Sequence, residues 1–389
     1  MEGSVRKRGH VWYYRYYIYI DGVKKQIERR GTKSKKETLE MLNTELYRQN
    51  QGLERPKETL LCDYLDMWLE EFIKDNDSEN TYIKYKNTVK KYINPALGTL
   101  RLCDIKAINL ERYINKLKKT KVGNSNKCLS STTVQKHFMV LNTALNKAVK
   151  LQMLVVNPCI YIDVPKRAKY KANVLTLDEF NLIYSNLDEK VYVDHLMRVA
   201  MLLTLELGLR RGEMCGLTWD NVDMENKTLR VENALIRVDK KYKISGLKTE
   251  GSYRELPISD NLIKILKTHK TIQNKNKLHF GELYEKNIFD GIEYDLVFTN
   301  EIGKYVIPSR FLQRLKRLCG YNNIEKNIRW HDLRHTNATV LLETGVSIKV
   351  VQERLGHSLM QTTSDIYAHV TKKLNRDATD VLSNVIYKK

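Results

Sequence analysis

The stretch that organises this chain is His331–Tyr367, HDLRHTNATVLLETGVSIKVVQERLGHSLMQTTSDIY. Apolar residues at helical spacing fill its interior, and His331 and Arg334 lie three residues apart, on one face of a helix. Gly356 is expected to end a helix in a left-handed turn just before His357, and the final tyrosine is expected in a second short helix. Two imidazoles, a guanidinium and a phenol at these spacings favour a site for a phosphate and a tyrosine nucleophile.

Length and composition set the outer limits. A chain of 389 residues with 42% hydrophobic residues is long enough for two or three packed domains. No apolar run reaches the length of a transmembrane helix, and no apolar stretch follows the first charges as in a secretory signal. The scattered cysteines contain no CxxC pair and are predicted to be reduced core residues of a cytoplasmic protein. They are Cys62, Cys103, Cys128, Cys159, Cys215 and Cys319.

The charge balance points to a partner. The formal net charge is +21, and most of this excess lies in the first 170 residues. Such a surplus favours a polyanion, usually DNA or RNA. A basic surface without any partner is the alternative that charge alone leaves open.

Residues 1–55 are predicted to form a small three-stranded sheet followed by a helix. The run His10–Ile20 is dense in aromatic and β-branched residues, which is typical of a strand. Asp21-Gly22 is a hairpin signal, Val23–Arg30 is expected to return as a second strand, and Lys35–Gln49 has helical composition. Basic residues between the aromatics predict a strand face that could enter a DNA groove. Alternatively, the tyrosines pack on the helix, and both can hold because alternate residues face opposite ways. The candidate DNA contacts are Arg6, Arg8, Arg15, Lys24 and Arg29.

Residues 56–168 are predicted to form a four-helix domain between two linkers, 51–58 and 164–171. Its helices are predicted at Leu61–Lys74, Glu79–Ile93, Asn109–Lys119 and from Ser130–Thr132 to about Leu151, with Asn94-Pro95 stopping the second. Lys136 and Lys147 on the last helix are candidate DNA contacts. A helical protein-interaction domain is the alternative interpretation of this segment.

Residues 169–389 are predicted to be mainly helical with a small antiparallel sheet. The predicted helices are Thr176–Ser185, Asp194–Leu207, Asn261–Lys270 and Pro308–Leu318, and an amphipathic tail helix is expected at Leu374–Ile386. A strand meander is expected over 228–258, and a short strand at Leu296–Thr299. Within the meander, a hairpin turn containing Gly251 would carry Lys248.

Taken singly, the polar motifs are weak. Arg210 and Glu213 three residues apart are most often a surface ion pair, although an arginine suits a phosphate because its planar donors span two oxygens. His331 and His335 have the spacing of metal ligands. No carboxylate or cysteine set accompanies them, and Arg334 between them would repel a cation, so no metal site is expected.

In combination, the motifs are specific. The segments GLRRGEMCGL, GLKTEGSYRELPI, HDLRHTNAT, LGHS and TTSDIYAHV follow one another in this order. This pattern resembles the tyrosine recombinase (phage integrase) family, with an N-terminal domain similar to the arm-binding domains of conjugative transposon integrases. The resemblance implies a multidomain α+β protein. It would have an arm-site DNA-binding domain at 1–55, a helical core-site DNA-binding domain at 56–168 and a catalytic domain at 169–389.

The resemblance also implies a chemistry. The chain would be a site-specific DNA recombinase that integrates and excises a mobile element through a 3′-phosphotyrosine intermediate on Tyr367. Arg210 and Arg334 would hold the non-bridging phosphate oxygens, and Lys248 would protonate the leaving 5′ oxygen. His331 would assist removal of the phenol proton, and His357 would donate a hydrogen bond to the phosphate. Neither a cofactor nor a metal ion would be needed.

The implied partner is double-stranded DNA at core and arm sites. The protein would act as a homotetramer whose subunits exchange their C-terminal tails, with a small excisionase as helper and without a membrane. Two alternatives remain at this point. A type IB topoisomerase shares the phosphotyrosine chemistry, and a non-catalytic architectural DNA-binding protein would share the charge.

Overall fold

The computed structural model describes residues 3–20, 23–50, 59–123, 125–164, 173–247 and 250–356, together with four residues near the C-terminus. The chain divides into two compact units, Met1–Lys169 and Tyr170–Lys389. In the described part of the chain, no helix is long and apolar enough to span a membrane. The two predicted linkers fall almost entirely outside the described residues.

The first unit begins with the predicted three-stranded sheet. Strands β1 (Gly3–Arg8), β2 (Val11–Ile20) and β3 (Val23–Arg30) pair antiparallel in that order, and helix α1 (Lys35–Asn50) packs on one face. Tyr14 and Tyr16 are buried with Leu42 between the sheet and α1. The alternation of β2 therefore gives this small domain its core on one side only.

The rest of the first unit is helical. Its α-helices are α2 (Leu61–Trp68), α3 (Glu79–Thr88), α4 (Asn94–Leu97), α5 (Ala107–Lys119) and α6 (Ser131–Lys150). Within the predicted helix start at Ser130–Thr132, the Ser130 hydroxyl caps α6 by accepting a bond from the backbone N–H of Thr133 at 3.2 Å. The Tyr64 hydroxyl donates to the carbonyl of Ala144 at 2.6 Å, which ties α2 to α6 inside the core.

The prediction that Asn94-Pro95 stops the second helix was wrong. α3 continues through a π-helical turn, Val89–Ile93, directly into α4, and the helix ends after Leu97. Pro95 follows this π turn as the second residue of α4. The wider hydrogen-bond spacing of the π turn reorganises the backbone just before the proline.

The second unit has seven described α-helices. They are α7 (Leu177–Ser185), α8 (Tyr192–Leu207), α9 (Arg211–Cys215), α10 (Asp260–Phe280), α11 (Pro308–Tyr321), α12 (Trp330–Glu343) and α13 (Ile348–Leu355). Helix α8 is apolar on most faces and runs through the core. Trp330 at the start of α12 donates to the Thr204 hydroxyl of α8 at 3.2 Å, so α12 is fixed against this central helix.

The strands of this unit form three small antiparallel ladders instead of one meander. They are β4 (Val222–Asp223), β5 (Thr228–Val231), β6 (Asn233–Val238), β7 (Lys241–Gly246), β8 (Arg254–Pro257), β9 (Asn287–Phe289) and β10 (Ile292–Tyr294). β5 pairs with β4 and β8, β6 pairs with β7, and β9 pairs with β10. Because β7 pairs with β6 and β8 pairs with β5, β7 and β8 do not form a hairpin, and the predicted hairpin was wrong.

Three further predictions need correction. Helix α10 runs ten residues past the predicted end, to Phe280, because no glycine or proline interrupts it before Gly281. Residues 296–299 make only isolated bridges. Of the cysteines predicted to be core residues, Cys103 and Cys128 are exposed.

Candidate active site

A left-handed turn places the first candidate arginine. Helix α8 ends at Gly208, whose φ is 65°, and the chain then turns to make Arg210 the N-cap of α9. The Glu213 carboxylate closes a capping box, accepting the backbone N–H of Arg210 at 2.9 Å and its Nη1 at 2.6 Å. The RxxE spacing is therefore a built-in brace for Arg210.

Glu213 is a buried anion between two guanidinium groups. It is 3% exposed and also accepts a bond from Arg254 Nη2 at 2.8 Å. Burial alone would raise the pKa of this carboxyl, but the bonded Arg254 and the charge of Arg210 outweigh it and lower the pKa to about 2. Glu213 is thus ionised at any working pH.

The second candidate arginine is a buried residue of α12. Arg334 is 1% exposed, and it donates from Nη1 to the carbonyl of Gly208 at 2.5 Å and from Nη2 to the carbonyl of Leu355. Burial and the nearby charge of Arg210 lower its pKa to about 9, so the guanidinium remains charged at neutral pH. The start of α12 is fixed by Asp332, which accepts the backbone N–H of Arg329 at 2.8 Å.

The two arginines converge on one turn. Arg210 Nη2 donates to the carbonyl of Gly356 at 2.8 Å, while Arg334 holds the carbonyl of Leu355, the preceding residue. These carbonyls end α13, where Gly356 adopts the predicted left-handed conformation with a φ of 60°. The structure therefore brings two positive charges, separated by more than 120 residues in sequence, to the segment that leads into His357.

His331 lies one helical turn before Arg334. Its side chain is exposed, and its ring is T-shaped to that of His335 with centroids 4.8 Å apart. The protein atoms packed around one side of the imidazole and the charges of His335, Arg334 and Arg210 lower the pKa of His331 below its usual value. His331 is therefore a neutral imidazole near pH 7, and a neutral imidazole has one ring nitrogen that can accept a hydrogen bond.

Three of the six candidate catalytic residues, Lys248, His357 and Tyr367, lie outside the described residues, and so does most of the predicted tail helix 374–386. The site built by the described residues thus consists of Arg210, Arg334 and His331, with Glu213 beneath them.

Sequence reasoning missed Arg254. It lies at the start of β8, and its side chain is 6% exposed and bonded to Glu213. The residue was present in the quoted segment GLKTEGSYRELPI, but an arginine opening a strand resembles any edge arginine. Only the buried carboxylate opposite it marks its importance.

The candidate DNA contacts fall into two groups. The strand register puts Arg6, Arg8, Arg15 and Lys24 on the outer face of the N-terminal sheet, opposite α1. Lys24 Nζ lies 4.4 Å from the ring centre of Tyr17 on this face. Arg29 pairs with Tyr14 and belongs to the face that carries α1, so the structure separates it from the other four.

The two candidates on α6 also differ. Lys136 is exposed, whereas Lys147 is half-buried with its ammonium 4.0 Å from the ring centre of Phe72. Lys147 therefore has a packing role that Lys136 lacks.

Three family profiles match consecutive parts of the chain. The phage integrase family matches residues 173–373, the N-terminal SAM-like domain of phage integrases matches 60–118, and an arm DNA-binding domain matches 4–43. The first match includes every candidate catalytic residue. The other two fall within the predicted helical and sheet domains.

Individual proteins similar to this chain point to the same family as the profiles. A XerC-like tyrosine recombinase of Caldanaerobacter subterraneus subsp. tengcongensis is 32% identical over 343 residues, covering 85% of this chain and 84% of that protein. The Tn1549 transposon integrase, solved in complex with a circular intermediate DNA, has a TM-score of 0.67 at 22% identity, covering 83% of this chain and 99% of that one.

The λ integrase tetramer bound to a Holliday junction has a TM-score of 0.57 at 17% identity, covering 91% of this chain and 92% of that one. These two structural likenesses concern the fold. The profile match and the sequence relative select the recombinase over the topoisomerase and architectural alternatives. The chain belongs to the phage integrase family and is a tyrosine recombinase, an enzyme of site-specific DNA recombination.

Proposed function

We propose that this recombinase cleaves and rejoins DNA through a 3′-phosphotyrosine on Tyr367. The observation that carries the proposal is the convergence of Arg210 and Arg334 on the carbonyls of Leu355 and Gly356. Two fixed guanidinium groups at one turn form a site for an anion, and the chain reaches His357 at the next residue. A DNA phosphate is the anion that fits a protein with a net charge of +21.

The reaction follows from the residue types. The phenol oxygen of Tyr367 attacks the phosphorus, and its proton passes to a neutral His331. The bond from phosphorus to the 5′ oxygen breaks, and Lys248 gives a proton to that leaving oxygen. A free 5′ hydroxyl of another strand reverses these steps, so the energy of the phosphodiester is conserved without a cofactor or metal ion.

The arginines have complementary tasks. The side chain of Arg210 is about one-third exposed and can reach a non-bridging oxygen. Arg334 is buried, so water screens its positive charge little. Both offset negative charge that develops on the phosphate during attack. His357 donates a further hydrogen bond to the same group.

We also propose how the parts of the chain divide the DNA. Residues 1–55 bind arm sites, residues 56–168 bind core sites, and residues 169–389 carry out catalysis. The arm DNA-binding profile at 4–43 and the basic outer face of the sheet support the first assignment. A separate arm-binding domain suits an integrase that inserts and excises a mobile element such as a conjugative transposon or a prophage.

The assembly proposed is a homotetramer on double-stranded DNA, in which the tail at 374–386 exchanges between subunits. The fold shared with the tetrameric λ integrase supports the assembly. A small excisionase helper and a cytoplasmic location complete the proposal.

The proposal is tested with Tyr367→Phe on a nicked suicide substrate made from DNA of the element's ends. The variant should bind this DNA with wild-type affinity and form no covalent protein–DNA adduct, because it lacks the attacking oxygen. Tyr321→Phe, which changes an exposed tyrosine on α11, is the matched control and should form the adduct normally. An adduct with Tyr367→Phe would refute the assignment of the nucleophile.

A further inference from the structure

Arg254 donates a hydrogen bond from each of the three nitrogens of its guanidinium group. Nη2 donates to Glu213 Oε2 at 2.8 Å, Nε donates to the carbonyl of Arg354 at 2.9 Å, and Nη1 donates to the carbonyl of Ser252 at 3.0 Å. The side chain is 6% exposed, so these bonds are made away from water. A lysine could not satisfy all three positions, because it lacks the planar fork.

These bonds join the segments that position both candidate arginines. Glu213 is the same carboxylate that braces Arg210. Arg354 is followed by Leu355 and Gly356, whose carbonyls hold Arg334 and Arg210. Arg254 therefore closes a ring of contacts that runs from the start of α9, through β8, to the end of α13.

The packing around the turn is tight. A Cβ added at Gly356 would lie 3.0 Å from the carbonyl oxygen of Gly251 and 3.3 Å from Arg254 Nη1. The left-handed turn at Gly356 thus packs directly against Arg254 and the backbone of Gly251.

The charge balance gives Arg254 a second task. Glu213 carries one negative charge and lies between two guanidinium groups. With Arg254 present, the two guanidinium groups on Glu213 outnumber its single negative charge, so one positive charge remains available to an anion at Arg210. Without Arg254, the only guanidinium that the described contacts place on Glu213 is that of Arg210, so the pair would carry no net charge and would attract a phosphate less strongly.

We infer that Arg254 is a positioning residue for recombination, which neutralises Glu213 so that Arg210 can act on the phosphate and which seats the turn at Gly356. This inference rests on the proposed role of Arg210. A purely structural arginine would support the fold in the same place without affecting how Arg210 meets the phosphate, and the two roles can be separated.

The first test compares substrates. Single-turnover cleavage is measured for Arg254→Gln on a suicide substrate with a phosphodiester and on one with a methylphosphonate at the cleavage site. The methylphosphonate lacks the charged oxygen, so it depends less on Arg210. We expect Arg254→Gln to cleave the phosphodiester about 100-fold more slowly than wild type, and the methylphosphonate within about 10-fold of wild type.

Two controls make the comparison decisive. Arg230→Gln removes an exposed arginine from β5, the neighbouring strand, and should cleave both substrates as wild type does. Arg210→Ala should show the same relief on the methylphosphonate as Arg254→Gln. If Arg210→Ala shows none, the proposed role of Arg210 fails, and the inference fails with it. If Arg210→Ala is relieved but Arg254→Gln is not, only the inference on Arg254 is overturned.

The second test removes both buried charges. Arg254→Gln alone leaves Glu213 to compete for Arg210, and it also risks misfolding. In the double variant Glu213→Gln with Arg254→Gln, that competition is gone. The double variant should therefore fold and cleave the phosphodiester at least about 5-fold faster than Arg254→Gln, within the range of interaction energies between contacting residues. A double variant that is equally slow or slower would show that Arg254 only supports the fold.

Discussion

At the residue scale, the positions of the candidate arginines depend on the backbone carbonyls that accept their hydrogen bonds. The last carbonyls of α8 and α13 have no partners within their own helices, and helix ends carry partial negative charge. Arg334 donates to the carbonyls of Gly208 and Leu355, one at each helix end. The two candidate guanidinium groups are thus held by backbone carbonyls whose positions are fixed by the core.

Gly208 gives a direct test of this arrangement. Its φ is +65°, and a Cβ there would lie 2.3 Å from Leu355 Cδ2. Gly208→Ala should therefore combine the cost of a left-handed alanine, about 1 kcal/mol, with a clash that separates α8 from α13 and adds about 1–3 kcal/mol. Thermal or urea unfolding should show the loss in stability, and the cleavage rate should fall because Arg334 loses its alignment.

Gly345→Ala is the matched control. Gly345 also has a positive φ, +87°, but a Cβ there would meet no atom within 4 Å. It should therefore show only the backbone cost and keep its cleavage rate. Equal losses in the two variants would mean that the close approach of Leu355 is unimportant.

At the element scale, a buried histidine pair joins α8 to α10. His269 is fully buried and its Nε2 donates to the carbonyl of Val297 at 2.8 Å, because a carbonyl only accepts. Nδ1 of the neutral ring then accepts from His195 Nε2 at 3.2 Å. Neither ring has a carboxylate partner in these bonds, so both are built to be neutral.

This pair predicts a dependence of stability on pH. Burial lowers the pKa of His269 to about 4, while the unfolded chain retains a value near 6.5. Well above pH 6.5, His269 is neutral in both the folded and the unfolded state, and its contribution to stability is fully present. Below pH 6.5, the unfolded chain binds a proton on His269, while the folded protein stays unprotonated there until the pH approaches 4. Between pH 8 and pH 5, the free energy of unfolding should fall by about 2 kcal/mol through His269.

Urea unfolding of the full chain at both pH values measures this fall. His269→Gln can still donate to Val297 and should reduce the pH dependence. His279→Gln, at the exposed end of the same helix, should leave it unchanged. A wild-type stability that does not change between these pH values would contradict the neutral pair.

At the scale of the whole molecule, most of the excess positive charge lies in the first 170 residues, where the proposed DNA contacts are. The outer face of the N-terminal sheet presents Arg8 and Lys24 to solvent, whereas Arg29 belongs to the face of α1. A polyelectrolyte partner releases counterions for each phosphate that is neutralised, so these residues should control the salt dependence of binding.

Replacing Arg8 and Lys24 together by glutamine should weaken binding to arm-site DNA from the element's ends. The slope of log affinity against log salt should fall by about 2, one for each lost phosphate contact. Arg29→Gln removes one charge from the other face and should reduce the slope by less than about 1, the value for one lost phosphate contact. A salt titration on arm and core DNA separately measures both effects. A larger loss for Arg29→Gln would contradict the assignment of the faces.

The sequence by itself determined the order of the domains, most helices and the family. These features are local, because the spacing of apolar residues, the capping residues and the short motifs each depend on residues that are close in sequence. Thr176 with Glu179, Ser130 with Thr133, and Gly356 at the end of α13 all behave as their local chemistry predicts. The helix through Pro95 escaped prediction because a π turn before the proline absorbs its effect.

Only the tertiary structure decided which residues meet. The strand runs over 228–258 could pair in several ways, and the choice of β5 with β8 brings Arg254 to Glu213. RxxE looked like a surface ion pair because exposure is not written in the sequence. Its carboxylate is in fact buried, since burial depends on how distant segments pack, and a buried anion must have partners. That requirement joins Arg254, Glu213 and Arg210 into one site.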